Sequence, residues 1–533
     1  VANLDLFIYT GVVVLFLAFV YIIWSYAKGL KRAPRELYLL FFTKVTEYSA
    51  YGGINLSFTL YLSKDLGLSD IAAGTYIGIW SMLLSLFVII VGPVCDVIGV
   101  KRTLLVGCYL LLFSRLLMPF APDIYSSSLL GFWPMAIGIA ITGPVLSVGI
   151  KRFTTKETAA LGFGLFYTLM NVGWAIGAWI FDKVRNLVGE HAAVPMPIIG
   201  FEISTYQLII LIGFFITVPD LVAILFMRNN VEVKDDGTVV VTKDKEKEER
   251  QGSFFSAFYE TIRKSTIETW LKIKDVFSER AFWIFIFMLT ITVFVRLVFQ
   301  HFHYTFPKYG IRIFGEGAKI GTIYGVLNPA MIVFLVPLAA HLTRKFSSYK
   351  MMLVGTTISA FSVFIAVIPH EYFAFLYNTW VSELVLVRWL DVPTTAANIW
   401  GRDLINGMVF MQWPDLPTYS FSTLYFSLLA FIIIFTIGEA IWSPRLMQFT
   451  AEIAPKGKEG AYISLAIIPF FAAKLFVGPL SGWLVATYTP DGVHAGVHNY
   501  PTHYMVWIWV GVMAIVTPIG LFIFQKLFRS AEK

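Results

Sequence analysis

Gly92–Arg102 reads GPVCDVIGVKR, and a long apolar run lies on either side of it. Gly-Pro, then Asp, then Gly and a Lys-Arg pair make a tight, charged turn between two apolar segments, the composition of a hairpin at a membrane surface. A weaker copy stands far downstream at Pro337–Lys350, PLAAHLTRKFSSYK, again between apolar runs. One such hairpin in each part of the chain points to two similar halves.

Composition supports a membrane setting. Of 533 residues, 57% are hydrophobic and 14% charged, against about 25% charged in soluble domains. Apolar runs long enough to cross a bilayer recur along the chain, so the sequence reads as an all-α polytopic membrane protein. The net charge of +7 is the usual excess of Lys and Arg on cytoplasmic loops and implies no nucleic-acid partner. Cys95 and Cys108 lie in or beside apolar runs, which argues against a structural disulfide.

The first run covers residues 5–27. No basic residue precedes it, and Lys28, Lys31, Arg32 and Arg35 follow, so it reads as a retained helix with its N-terminus outside. Length and loop signals then place spans at 36–62, 72–95, 103–121, 130–150, 158–181 and 205–227. A second set falls at 281–304, 317–342, 350–369, 421–446, 460–486 and 503–527. The expected plan is one extra helix in 1–30, a six-helix bundle in 31–228, a linker in 229–280 and a second bundle in 281–533, about 13 spans. This orientation puts roughly 29 Lys and Arg on the cytoplasmic side and roughly 8 outside. The C-terminus is then cytoplasmic, in a plasma or inner membrane.

Three connecting regions have their own character. VKDDGTVVVTKDKEKEER in the linker reads as a charged, mobile or hairpin-like segment, and SFFSAFYETIRKSTIETWLKIKDVF as an amphipathic helix on the cytoplasmic surface or, alternatively, a partner-binding helix. Residues 370–420 form a long external insertion with NTWVSELVLVRWL as an interfacial helix, of the length that serves function or a partner. His494, His498 and His503 sit among Pro490, Gly492 and Gly496 and read as solvated loop histidines rather than a metal site.

Two six-helix halves with hairpins at helices 2–3 and 8–9 resemble the major facilitator superfamily. Gly92, Asp96, Gly99, Lys101 and Arg102 match its hairpin pattern G-x-x-x-D-x-x-G-x-[KR]-[KR], and the resemblance implies that the Asp and basic residues latch the halves in the outward-open state. A narrower resemblance is to the proton-dependent oligopeptide transporters. Phe166-Tyr167-x-x-Met170-Asn171-x-Gly173 is similar to that family's helix 5 motif. Asn328-Pro329 with Pro337 is similar to its helix 8, and Gly438-Glu439, Ser443-Pro444, Ala454-Pro455 and Gly460 to helix 10 and the following loop. The helix 1 motif E-x-x-E-R-F-x-Y-Y-G departs. Thr43 and Thr46 replace the acids and Glu47 the Arg, while Tyr51 and Gly52 hold register. The helix 4 Lys falls at Gly143 and the helix 7 acid at Phe299, before a retained Gln300.

Ionisable side chains inside spans are costly and mark solute or ion paths. Lys44 and Glu47, three apart, read as a local ion pair. Arg296 could clamp a carboxylate or neutralise Glu47. Lys474 is a second anion-binding candidate or the partner of Glu439, and Arg115 is positioned to snorkel. The resemblance implies that Glu439 binds a substrate amine and helps couple protons, with Lys44 and Glu47 beside it in coupling. Tyr48, Tyr51, Asn55, Tyr167, Asn171, Trp174, Gln300, Tyr324, Asn328 and Trp442 are candidates for the cavity wall. Gly173 and Gly177 read as a close-packing face.

No phosphate cradle, metal cluster or nucleophile–base set stands out, so the sequence reads as neither an enzyme nor a cofactor binder. The expectation is a secondary transporter moving a small zwitterionic or anionic, peptide-like solute by alternating access with a proton. The alternative is a transporter-like subunit or scaffold of a larger membrane complex, with protein partners engaged through the N-terminal helix and the external insertion.

Overall fold

The computed structural model describes residues 2–196, 200–229, 231–241, 277–376, 379, 381–382, 385, 389–390, 423–453, 468–493 and 495–530. Long helices dominate. The first half of the chain holds Ala2–Gly29 (α1), Arg35–Leu60 (α2), Asp70–Ile98 (α3), Val100–Leu117 (α4), Trp133–Phe153 (α5), Ala159–Val188 (α6) and Thr205–Phe226 (α7). The second holds Arg280–Tyr304 (α8), the short Phe306–Phe314 (α9), Leu327–Leu342 (α10), Ser348–Ser362 (α11), Leu424–Ile453 (α12), Ile468–Tyr488 (α13) and Met505–Ile523 (α14). Each expected span overlaps one of the long helices. Ten of them are apolar and long enough to cross a bilayer among the described residues. The helix α2, which carries Glu36, Lys44 and Glu47, is not among the ten.

Local sequence explains the helix ends. Ser69 caps α3 by accepting from the Ala72 amide, and Gly99, at φ +84°, turns the chain between α3 and α4 where a side chain would be strained. Ser204 and Gln207 form a reciprocal capping box on α7. Pro144, Pro219, Pro337, Pro444, Pro479 and Pro518 lie inside helices, a placement that membrane bundles tolerate because neighbouring groups take up the freed carbonyls.

Two short antiparallel hairpins interrupt the all-helical plan. Ala193–Met196 (β1) pairs with Phe201–Ser204 (β2) between α6 and α7. Val231–Val233 (β3) pairs with Val239–Val241 (β4) in the linker, closed by a turn with Gly237 at φ +81°. The second falls at the start of the linker segment read as mobile or hairpin-like, of which residues 242–250 lie outside the described residues. The amphipathic linker helix, most of the external insertion with its interfacial helix, and the Ala454-Pro455 and Gly460 motif lie outside the described residues.

In the first half α2 packs on α6 and α7, α4 on α5 and α7, and α3 on α5. In the second, α8 packs on α13 and α14, and α12 on α10 and α11. Glycines set the closest approaches. A Cβ on Gly173 would meet the Val45 carbonyl at 2.7 Å, and one on Gly53 would meet the Gly177 carbonyl at 3.0 Å, so the α2–α6 seam admits no side chain at these points, as expected of Gly173 and Gly177. The halves meet through a similar seam. A Cβ on Gly78 of α3 would meet the Lys474 carbonyl of α13 at 2.8 Å, and Gly74, Gly478 and Gly482 continue the stripe. Helix α1 lies against α6, with Tyr26 beside Gly164.

Candidate functional site

The end bearing the Gly92–Arg102 turn is termed the hairpin end, and the opposite one the far end. At the far end the halves are clamped together. Asp70, at the start of α3, accepts from Lys308 at 2.7 Å and from both terminal nitrogens of Arg312 at 2.9 and 3.0 Å, the two bases projecting from α9. Lys64 donates to both oxygens of Asp491 at 3.0 and 2.9 Å. Burial pushes the Asp491 carboxyl up, but the Lys64 bond and the Arg312 charge outweigh it and hold it below the ordinary carboxylate range. Burial pulls the Lys308 ammonium down, and the Asp70 charge recovers only part of that.

A second clamp joins α6 to the chain entering α10. Asp182 accepts from the backbone amides of Gly321 and Thr322 at 2.9 and 2.5 Å, capping a helical segment of the other half. Arg185 donates to the Ala318 carbonyl at 2.9 Å and is gripped by Glu190 at 2.5 to 2.9 Å. Burial pushes the Glu190 carboxyl up, and the Arg185 charge and hydrogen bond bring it below its ordinary range. Tyr304 and Ser81 also meet across the halves, at 2.5 Å.

Between the clamped end and the hairpin end lies a polar and aromatic space. Tyr167 keeps 38% of its surface accessible, and Arg296 is exposed, although both belong to the middle of bundle helices. Tyr167 and Arg296 belong to different halves and yet interact with each other and with Glu439, so their accessible surfaces face one another between the halves. Gly143 agrees, since a Cβ there would meet nothing within 4 Å. The aromatic lining is continuous. Trp174 lies 5.4 Å from Tyr51, 6.1 Å from Tyr48 and 5.2 Å from His303, and His303 lies 5.5 Å from Tyr324. Asn171 donates to the Tyr167 carbonyl at 2.9 Å. Asn55 is buried and Gln300 half-buried.

The charged residues pair differently from the expected pattern. Glu47 does not bond Lys44 or Arg296. Both its oxygens are taken by Arg115 of α4, at 2.7 and 2.8 Å. Arg115 therefore does not snorkel; it is fully buried and also touches Thr217 of α7. Lys44 lies between two rings instead, 3.7 Å from the Tyr48 centroid and 3.9 Å from that of Phe166. Glu439 does not pair with Lys474. It accepts from Asn328 at 2.8 Å, and Asn328 also reaches Thr436 at 3.0 Å. Lys474 crosses to α3, donating to Ser85 at 3.0 Å and contacting the Ser81 carbonyl at 3.4 Å. Arg296 lies over Phe470 at 4.4 Å and interacts electrostatically with Glu439, Tyr167 and Lys474.

Trp442 is removed from the cavity wall. Its indole donates to Ser359 at 3.2 Å, and its backbone fits against Gly355 of α11. Of the hairpin residues, Gly92 and Asp96 lie on the last turns of α3, and the Asp96 side chain is outside the described residues. Lys101 donates to the Leu225 carbonyl at 2.9 Å, a bond inside its own half. Arg102 is exposed. His498 and His494 side chains are not described, while His503 bonds Tyr309 at 2.8 Å; no metal-ligating group of three occurs among the described residues.

The sequence reading missed Asp220, Asp182 and Arg185. Asp220 was legible as an acid inside an apolar run. Here it is buried against Thr46, with its second oxygen unpartnered among the described residues. Asp182 and Arg185 fell past the expected end of their span, which the structure extends to Val188.

Two helix bundles around a polar space, clamped at one end, define a membrane carrier architecture, and the sequence comparison agrees. The description of the Major Facilitator Superfamily matches residues 40–387, and the chain belongs to that superfamily. It is similar to dipeptide and tripeptide permease A of Proteus mirabilis, 24% identical over 176 residues, which are 32% of this chain and 36% of that protein. It is also similar to dipeptide and tripeptide permease B of Salmonella typhimurium, 29% identical over 166 residues, 30% and 34% of the two chains. The matched region thus spans about a third of these curated relatives. The fold is shared with a POT family transporter solved with 5-aminolevulinic acid, at a TM-score of 0.60 and 16% identity over 93% of this chain and 97% of that one. It is shared too with a peptide transporter POT solved with sulfate, at 0.62 and 14% over 93% and 96%.

Proposed function

We propose that this protein is a secondary transporter that moves a small polar, peptide-like solute by alternating access, with a proton as coupling ion. The observation that carries the reading is the group Lys44, Arg296, Glu439 and Lys474. Arg296 interacts with Glu439, with Lys474 and with Tyr167 of the other half, and Lys44 is buried between Tyr48 and Phe166; ionic groups kept within apolar spans mark a polar path. The permease names of the relatives support a peptide-like solute. The far-end clamps correspond to one end state, and breaking them while the hairpin end closes gives the other. The basic residues assign the hairpin end to the cytoplasm, so this conformer faces inward.

Glu439 is assigned the solute's amino group and the proton. A proton entering down the membrane potential gains about 2.3 kcal/mol per 100 mV, enough for roughly fifty-fold accumulation at 1.4 kcal/mol per tenfold. The test is uptake into proteoliposomes with and without an inward proton gradient. Wild-type protein accumulates solute only with the gradient. Glu439→Gln loses gradient-driven accumulation while solute still equilibrates by counterflow. Accumulation unchanged in Glu439→Gln overturns the role of that acid.

A further inference from the structure

Charge in the inter-bundle space is unbalanced. Three cationic side chains border it: Arg296 from α8 and Lys474 from α13, which interact with each other, and Lys44 from α2, buried behind the Tyr48 ring that meets Trp174 of the aromatic lining. Among the described residues, no carboxylate lies within ion-pair distance of any of the three. Lys44 has two ring faces, Arg296 one, and Lys474 a carbonyl and a hydroxyl. The acids that could have answered them are engaged elsewhere. Glu47 shares a face with Lys44, yet both its oxygens are bound by Arg115. Asp220 meets α2 at Thr46, two residues and so about 200° round the helix from Lys44. Glu47 acts on Lys44 only through space, and Glu439, which interacts with Arg296, is already oriented by Asn328.

Lys44 is buried and Lys474 half-buried, and a cation so placed without an ion-paired counter-charge is costly; ring faces recover only part of that cost. A bound anion removes the cost. A zwitterion brings no net charge and leaves the imbalance as it was. A solute with one amine and two carboxylates places the amine on Glu439, the first carboxylate on Arg296 or Lys474, and the second on the remaining bases. Lys44 stands on one half, Arg296 and Lys474 on the other, so two carboxylates also span the halves.

The geometry points to an acidic, amine-bearing solute: an aminodicarboxylate or a short peptide with an acidic side chain, preferred over neutral and basic ones. This rests on the transporter reading above and names the solute class within it. Guanidinium and ammonium groups on three separate helices suit carboxylates at different positions, the Arg296 fork taking one in a bidentate manner.

The test is competition and uptake in proteoliposomes with matched dipeptides: alanyl-alanine, alanyl-glutamate and alanyl-lysine, with succinate as a dicarboxylate lacking the amine. Alanyl-glutamate is expected to compete at least tenfold better than alanyl-alanine, with alanyl-lysine and succinate weaker than both. Lys44→Gln is expected to shrink the glutamate preference at least fivefold, and Lys44→Arg to retain it. A Lys44→Gln protein that does not fold leaves the wild-type selectivity series as the deciding measurement. If alanyl-alanine is taken up as well as alanyl-glutamate, the acidic preference is overturned and the transporter reading stands. If none of the compounds is taken up or binds, the transporter reading itself falls.

Discussion

Glu47 stands where the helix 1 motif of the oligopeptide transporters has arginine, and the guanidinium it meets comes from Arg115 on α4. The ion pair is complete and buried, with both carboxylate oxygens taken by Arg115. Removing one partner strands the other in a low-dielectric interior, a loss of about 3–5 kcal/mol. Arg115→Met alone is therefore expected to lower the melting temperature in detergent sharply, and Glu47→Gln alone to do nearly as much. The double replacement by Gln and Met is expected to lie well above the sum of the two losses, which a thermal-denaturation cycle measures. An additive result would show that the pair is not coupled. The sequence displayed both residues but could not say that they meet. Helical spacing suggested Lys44 as the partner of Glu47, and the packing of both α2 and α4 on α7 supplied a better one.

At the scale of elements, helix ends and glycine seams fix what the loops can do. Ser204 caps α7 and also donates to Asp65 at 2.6 Å, tying the end of α2 to the start of α7. Asp65 lies in the turn beyond α2. Burial raises its pKa to about 6, partly offset by the Ser204 bond. The folded pKa is thus above the unfolded one, so the folded form is favoured below the ordinary value of 3.8 and this advantage is lost as pH rises through about 6. Melting temperature is expected to fall between pH 4 and 6.5 by a step that Asp65→Asn abolishes. A step of the same size in Asp65→Asn assigns it to another group. The α2–α6 seam was readable from Gly173 and Gly177, because small residues at helical spacing have few other uses in a bundle. The α3–α13 seam was not, since its glycines are some 400 residues apart in sequence.

Across the whole molecule, the two halves are held at the far end by charges on the loops and at mid-depth by Lys474 and the Tyr304–Ser81 contact. Asp70 is the hub, because one carboxylate answers two bases of the other half. Asp70→Asn keeps shape and one acceptor but removes the charge. It is expected to shift the population toward the far-end-open state, raising the labelling rate of a cysteine placed at Ser63 several-fold in the absence of solute. Unchanged labelling would mean that the Asp182 cap and the glycine seam close this end without Asp70. In the hairpin at Gly92–Arg102 the Lys101 bond stays within its own half.

The amino-acid sequence by itself determined the membrane class, the order and approximate positions of the helices, the hairpins that divide the chain, and the presence of Lys44, Glu47, Arg296, Glu439 and Lys474 within apolar runs. These are local properties: hydropathy, turn chemistry and the cost of a charge in hydrocarbon act over one or two turns of chain. Only the tertiary structure decided which charge answers which. Rotation of each helix about its axis follows from the packing of partners distant in sequence, and a turn of 100° moves a side chain from a neighbouring helix to the open space. That rotation gave Glu47 to Arg115, sent Trp442 into the seam with α11, and left Lys44, Arg296 and Lys474 without an ion-paired carboxylate among the described residues.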